Sequence, residues 1–151
     1  MDANVNSRKN TSSPSPIENI VSYIKENFKV KDEDTYGENN SVGLIAFLHE
    51  ELTYIVDVYP KKPQHLRAYI LFDEPSDVRI INKVNALSRF SKGTNITQSS
   101  GERLCIEIEQ MMYGIQTKAS AEHYILFVIE YLKKYLHALS EEESLSEQEG
   151  A

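Results

Sequence analysis

The spacing of apolar residues changes period several times along this chain, and each change marks an element. Ile17, Ile20, Val21, Ile24 and Phe28 recur at intervals of three and four, which places them on one face of a helix. Ser15 is positioned to cap that helix, Pro16 suits its first turn, and Glu18 completes a Ser-x-x-Glu box. The helix is expected to end before Lys31-Asp32-Glu33-Asp34, followed by a loop through Gly37 to Asn40. The period then falls to two. Val42, Leu44, Ala46 and Leu48 alternate along a first strand, and Leu52, Tyr54, Val56 and Val58 along a second. The join at His49, Glu50 and Glu51 is short enough for a tight antiparallel hairpin. After a turn at Pro60-Lys61-Lys62-Pro63, a third strand runs from Leu66 to Phe72. Its Leu66, Ala68, Ile70 and Phe72 point inward, opposite Arg67, Tyr69 and Asp73.

A second helix opens at Pro75 and Ser76 or Asp77. Its expected buried face is Ile80, Ile81, Val84, Leu87 and Ser88, with Gly93 placed to stop it. Two strands follow, a short one over 94–98 and a clearly alternating one over 103–111, joined by a turn at 99–102. The last helix is expected from near Ser120 to about Leu139. Tyr124, Phe127, Val128, Tyr131, Leu132, Tyr135, Leu136 and Leu139 make one broad face, widened by Ile125, Leu126 and Ile129. This is more apolar surface than a helix covering one sheet usually carries. The pattern predicts an α+β fold with a five-stranded antiparallel sheet in the order α-β-β-β-α-β-β-α. Short links favour a meander, and the polar face left by alternation favours helices packed on one side of the sheet.

Composition sharpens the domain limits. Residues 1–14 are rich in Asn, Ser and Lys and read as a disordered lead; 15–139 read as one domain; 140–151, with five Glu and no base, read as an acidic disordered tail. The net charge of −7, with no basic stripe, argues against nucleic acid as a partner. The longest apolar run falls short of the roughly 18 residues of a membrane span, and 1–15 lack the apolar centre of a signal peptide, so no membrane partner and a cytoplasmic location are expected. A single cysteine, Cys105, fits a reducing compartment.

Candidate chemistry is sparse. His49, His65, His123 and His137 do not share a face with further metal-type ligands at useful spacing, so neither a metal nor another cofactor is expected. Cys105 lies mid-strand on the side of Arg103, Glu107 and Glu109, where the carboxylates oppose thiolate formation. Glu107 and Glu109 stand about 7 Å apart by strand geometry. Alternation already explains them as the wet side of a sheet. No Gly-rich phosphate loop, nucleophile elbow or C-x-x-C motif is present, and no catalytic residue is assigned. Tyrosine occurs nine times without any tryptophan, and a side chain with large area and a polar tip suits an interface. On the last helix, Tyr124, Phe127, Val128, Tyr131 and Tyr135 form the candidate protein interface.

The stretch Ala68-Tyr69-Ile70-Leu71-Phe72, leading into Ile80-Ile81-Asn82-Lys83-Val84-Asn85-Ala86-Leu87-Ser88-Arg89-Phe90, resembles the second-helix region of the bacterial YbjN-like group. Over 15–139 the element order is similar to the fold shared by that group and type III secretion chaperones. The resemblance implies a non-enzymatic homodimer that handles a client or regulatory protein. A chaperone-like or regulatory protein-binding module is therefore the expected function. The alternative is a small-ligand sensor or minor enzyme with a pocket between helix and sheet.

Overall fold

A computed structural model describes residues 16–36, 41–59, 62–111 and 117–150. Helix α1 (Pro16–Asn27) is followed by strands β1 (Lys29–Tyr36), β2 (Ser41–His49), β3 (Leu52–Tyr59) and β4 (Lys62–Leu71). Helix α2 (Val78–Leu87), strands β5 (Ser91–Gln98) and β6 (Gly101–Met111), and helix α3 (Lys118–Gly150) complete the chain. All strand pairs are antiparallel, in the spatial order β1-β2-β3-β4-β6-β5.

Alternation on the strands decides which face is covered. Ile45 and Phe47 of β2, Tyr54 and Val56 of β3, Leu66, Ala68 and Ile70 of β4, and Leu104, Ile106 and Ile108 of β6 are buried in one core. Ile20 and Ile24 of α1 and Ile81 and Val84 of α2 close over it. Along α3, Ile125, Val128, Leu132 and Leu139 do the same. Helix α3 lies between the other two, packing against α1 and α2 as well as β4, β5 and β6, while α1 packs on β1 and β2. The helices thus share one face of the sheet, as the polar outer positions of the strands require. Phe28 extends the face of α1 onto Phe47, which stacks on Tyr54 with ring centroids 5.4 Å apart.

Several expectations are corrected. The sheet has six strands, not five, and the order is α-β-β-β-β-α-β-β-α. The added strand is β1, built from residues that suggest a solvated loop. Its ladder comes from backbone groups pairing with β2, which need no apolar side chains, and its charges suit an unpaired outer edge. Register shifts at Val30/Asp32 and Asp34/Thr35 interrupt its alternation further.

Gly93 does not stop α2. The helix ends at Leu87, where the Ser88 N–H turns back to Val84 and Asn85 carbonyls, and Gly93 lies inside β5. The last helix does not end near Leu139 but continues to Gly150, through the segment expected to be a tail. Two contacts tether that extension: the Ser76 hydroxyl, just ahead of α2, donates to Glu143, and Lys83 in the middle of α2 pairs with Glu142 at 2.8 Å. The cap expected at Ser15 and the lead over 1–14 lie outside the described residues.

Candidate functional site

Where α2 ends, the chain turns through Ser88, Arg89 and Phe90 into β5, and this turn leans on the outer flank of α3. The Phe90 ring meets Tyr131 edge-on at 4.6 Å and Phe127 at 5.1 Å. Phe127 and Tyr131, one helical turn apart, contact each other at 4.5 Å. Between the turn and the helix lies a groove of about 450 Å³. Val84, Leu87 and Phe90 line one wall, and Tyr131, Tyr135 and Ala138 the other. Arg89 and Lys134 stand at its rim, with the Lys134 ammonium 4.9 Å from the Tyr131 ring centre.

Two of the apolar side chains around this groove are open to solvent. Leu87 is 75% exposed and Phe90 43%. Leu87 was expected on the buried face of α2; it falls at the last helical position, where the chain turns away from the core.

A polar bracket holds the groove in shape. The Gly93 N–H donates to Asn85 Oδ1 at 2.8 Å, and Asn85 Nδ2 donates to the Gly93 carbonyl at 2.9 Å. The Tyr135 hydroxyl donates to the same Oδ1. Burial pushes that phenol up to about 12, against the opposing hydrogen bond from the Gly93 backbone. Ser91, buried, donates its N–H to the Ser88 hydroxyl oxygen and its own hydroxyl to the Tyr131 carbonyl. A second bracket repeats the first: Asn95 Nδ2 donates to the Ser76 carbonyl at 2.7 Å, and the Ser76 N–H donates to Asn95 Oδ1 at 3.0 Å. Strand β5 is a sheet edge, and the Asn85 bracket occupies backbone groups that could otherwise pair with another chain.

Of the interface candidates on the last helix, the structure buries Tyr124, Val128 and Tyr135 in the core, and Phe127 and Tyr131 are partly buried at the groove. A broad apolar face does not by itself separate the stripe that meets the sheet from the one that meets α2 and its turn. Leu87 and Phe90 complete the patch; helical spacing assigns Leu87 to a buried face and gives Phe90 no role. A phenylalanine inside the short polar run Ser88-Arg89-Phe90-Ser91 was the available signal.

The opposite face of the sheet holds a smaller hollow of about 190 Å³ beside Arg67, Tyr69, Cys105 and Glu107. The Arg67 guanidinium lies 4.5 Å above the Tyr69 ring, 3.4 Å from Asp57 and 3.6 Å from Glu107, so carboxylates already balance its charge. Cys105 is buried, and its thiol is pushed up to about 11, first by burial and then by Glu107, with Arg67 opposing. Such a thiol is a poor nucleophile at neutral pH. Among the described residues no group of three or more His, Cys, Asp or Glu is placed to hold a metal ion. His49 lies 3.7 Å from Glu50, and His137 pairs with Glu141 one turn along α3 at 3.0 Å. Among the described residues no helix is long and apolar enough to cross a membrane.

No family model matches the chain, and no curated protein does. Among solved structures it is similar to YbjN from E. coli, a protein proposed to be a transcription regulator. The TM-score is 0.59 at 12% identity, over 88% of this chain and 94% of that one. The chain has a YbjN-like fold. At this identity the likeness concerns backbone architecture alone. It agrees with the YbjN-like part of the resemblance in the sequence and adds nothing to the link with secretion chaperones.

Proposed function

We propose that this protein is a non-enzymatic, regulatory protein-binding module whose docking surface is the groove between α2 and α3. The observation that carries this reading is the exposure of Leu87 and Phe90 in register with Phe127 and Tyr131. Aromatic and aliphatic anchors grouped in one recess, with cations at the rim, have the composition of an interface centre. The hydrogen-bonding groups beneath are committed to holding the turn, which suits a preformed surface. The transcription-regulator role proposed for E. coli YbjN is compatible with this reading. The net charge of −7 favours regulation through protein contact over direct contact with DNA.

A photo-crosslinking residue at position 87 tests the reading, with exposed position 102 at the start of β6 as control. A protein adduct formed from position 87 and not from 102 is the expected result. Absence of any adduct from position 87 in cells would overturn it. A second reading is a small aromatic anion held in the groove, whose volume lies in the range of small-molecule sites, about 300–1,000 Å³. Native mass spectrometry showing a stoichiometric small molecule that is lost on Phe90→Ser would favour it.

A further inference from the structure

The groove between α2 and α3 is a cationic place on an acidic protein. The chain carries a net charge of −7, yet the residues that line the groove include Arg89 and Lys134 and no carboxylate. Arg89 is exposed and has no ion pair among the described residues. Lys134 pairs with Glu130 one turn back at 3.1 Å, with both side chains more than 60% exposed, and such a pair is weak and readily shared. The carboxylates further along α3 are turned to other groups. Glu141 lies 3.0 Å from His137, Glu142 lies 2.8 Å from Lys83, and Glu143 accepts from Ser76. The partial negative charge at the end of α2 is covered as well: Lys92 donates to the Asn85 carbonyl at 3.0 Å and the Ser88 N–H to the Val84 carbonyl at 3.1 Å.

The backbone beside the groove is closed to strand pairing. The Ser91 N–H is given to the Ser88 hydroxyl, and the Gly93 N–H and carbonyl are both taken by the Asn85 amide. An extended chain laid along this part of β5 would leave its own backbone groups without these partners. A helix brings its backbone hydrogen bonds with it and asks only for side-chain contacts. Those are what the groove offers, with Leu87 and Phe90 on one wall and Tyr131 on the other. A helix docks in such a recess by apolar residues at i, i+3 or i+4, and i+7.

We infer that the element docking here is an amphipathic helix of the partner protein, with its apolar face in the groove and acidic residues flanking that face. The inference rests on the reading of the groove as a protein-docking surface and names the chemistry of what docks. Arg89 stands on the turn and Lys134 on α3, so a carboxylate on each side of the apolar face meets one cation. The Arg89 guanidinium can take its carboxylate through two parallel N–H groups. A basic helix would set like charges against both walls, which excludes it.

Selection of displayed random peptides of about 16 residues, long enough for four turns of helix, tests the inference on the purified full chain. The enriched peptides should carry an apolar i, i+4, i+7 seam with Asp or Glu beside it. They should gain helical circular dichroism on binding and lose binding with Leu87→Ser. Arg89→Glu and Lys134→Glu together should weaken binding by at least about tenfold, and added salt should weaken it too. The urea midpoint of the double variant, unchanged from the parent, would show that it folds. No enriched peptide, basic or extended peptides, or binding indifferent to the two reversals would overturn the inference. So would a labelled single-stranded oligonucleotide that binds as tightly as the peptides. If position 87 crosslinks to a protein while any of these holds, the groove is a docking surface and only the chemistry of its partner is wrong. Acidic helical peptides bound without an adduct from position 87 in cells would support the chemistry and overturn the proposed role.

Discussion

The side-chain amide of Asn85 replaces a neighbouring strand for Gly93: it accepts from the Gly93 N–H at 2.8 Å and donates to its carbonyl at 2.9 Å. The close approach of α3 depends on the same glycine. A Cβ built on Gly93 would strike the Tyr135 hydroxyl and lie 3.0 Å from its ring carbon Cζ. Gly93→Ala should therefore cost about 1–3 kcal/mol by overpacking. Tyr135→Phe should lose about 1 kcal/mol with its hydrogen bond to Asn85. Combined, the two should cost less than their sum, because removing the hydroxyl removes the nearest collision. Urea unfolding of the four species measures the coupling.

Tyr124 provides the contrast. Its hydroxyl is buried and finds no hydrogen-bond partner among the described residues, and burial raises its pKa. Tyr124→Phe should be neutral or stabilise by about 1 kcal/mol, since it removes an unsatisfied buried group. A loss comparable to that of Tyr135→Phe would show that the hydroxyl has a partner in solution.

The β2–β3 turn holds two non-glycine residues in the left-handed region, Glu50 at φ 48° and Glu51 at φ 69°. This is the backbone of a two-residue hairpin turn that favours glycine at its second position. Glu50 is engaged with Lys133 of α3, whereas the exposed Glu51 has no ion pair among the described residues. Glu51→Gly should raise stability by about 1 kcal/mol by relieving the left-handed conformation. Thermal unfolding would check it.

The two sides of α3 should respond differently to truncation. Leu132 is fully buried, and Leu132→Ala should cost about 2–5 kcal/mol. Leu87→Ser, at a 75% exposed position, should stay within about 0.5 kcal/mol of the parent while abolishing crosslinking near the groove. If Leu87→Ser destabilises as much as Leu132→Ala, Leu87 belongs to the core and not to a docking surface.

Alkaline pH should unfold the protein through groups held protonated by the fold. Burial raises the Cys105 thiol from 9.0 to about 11, and the Tyr54 and Tyr135 phenols from 10.0 to about 12. Above pH 9 the unfolded chain releases protons that the folded chain keeps, so stability is complete below that pH and falls as pH rises toward 12. Cys105→Ser should remove the earliest part of the decline, between about 9 and 10. Urea midpoints measured across this range, with and without the substitution, would show it.

Much of the fold was readable because alternation and helical spacing act locally. The inward residues of β4 and the face of α1 follow from period alone, since only one arrangement hides Leu66, Ala68 and Ile70 or Ile20 and Ile24. On β2 apolar residues occupy both faces, so period could not say that Ile45 and Phe47, and not Leu44 and Leu48, point to the core. The pairing with β3 and the helices above decided it.

The sequence by itself determined the order of amphipathic elements, the one-sided sheet and the thin chemistry of the exposed positions, because each depends on neighbours within a few residues. Tertiary structure decided β1, whose polar residues gain their ladder only beside β2. It decided the place of Gly93, a helix stop by local rules but in fact the hollow into which Tyr135 fits from far along the chain. It also decided which side of α3 remains open, since Leu87 and Phe90 meet Phe127 and Tyr131 only when the helices pack. In each case the deciding force acts between residues distant in sequence, where local spacing carries no signal.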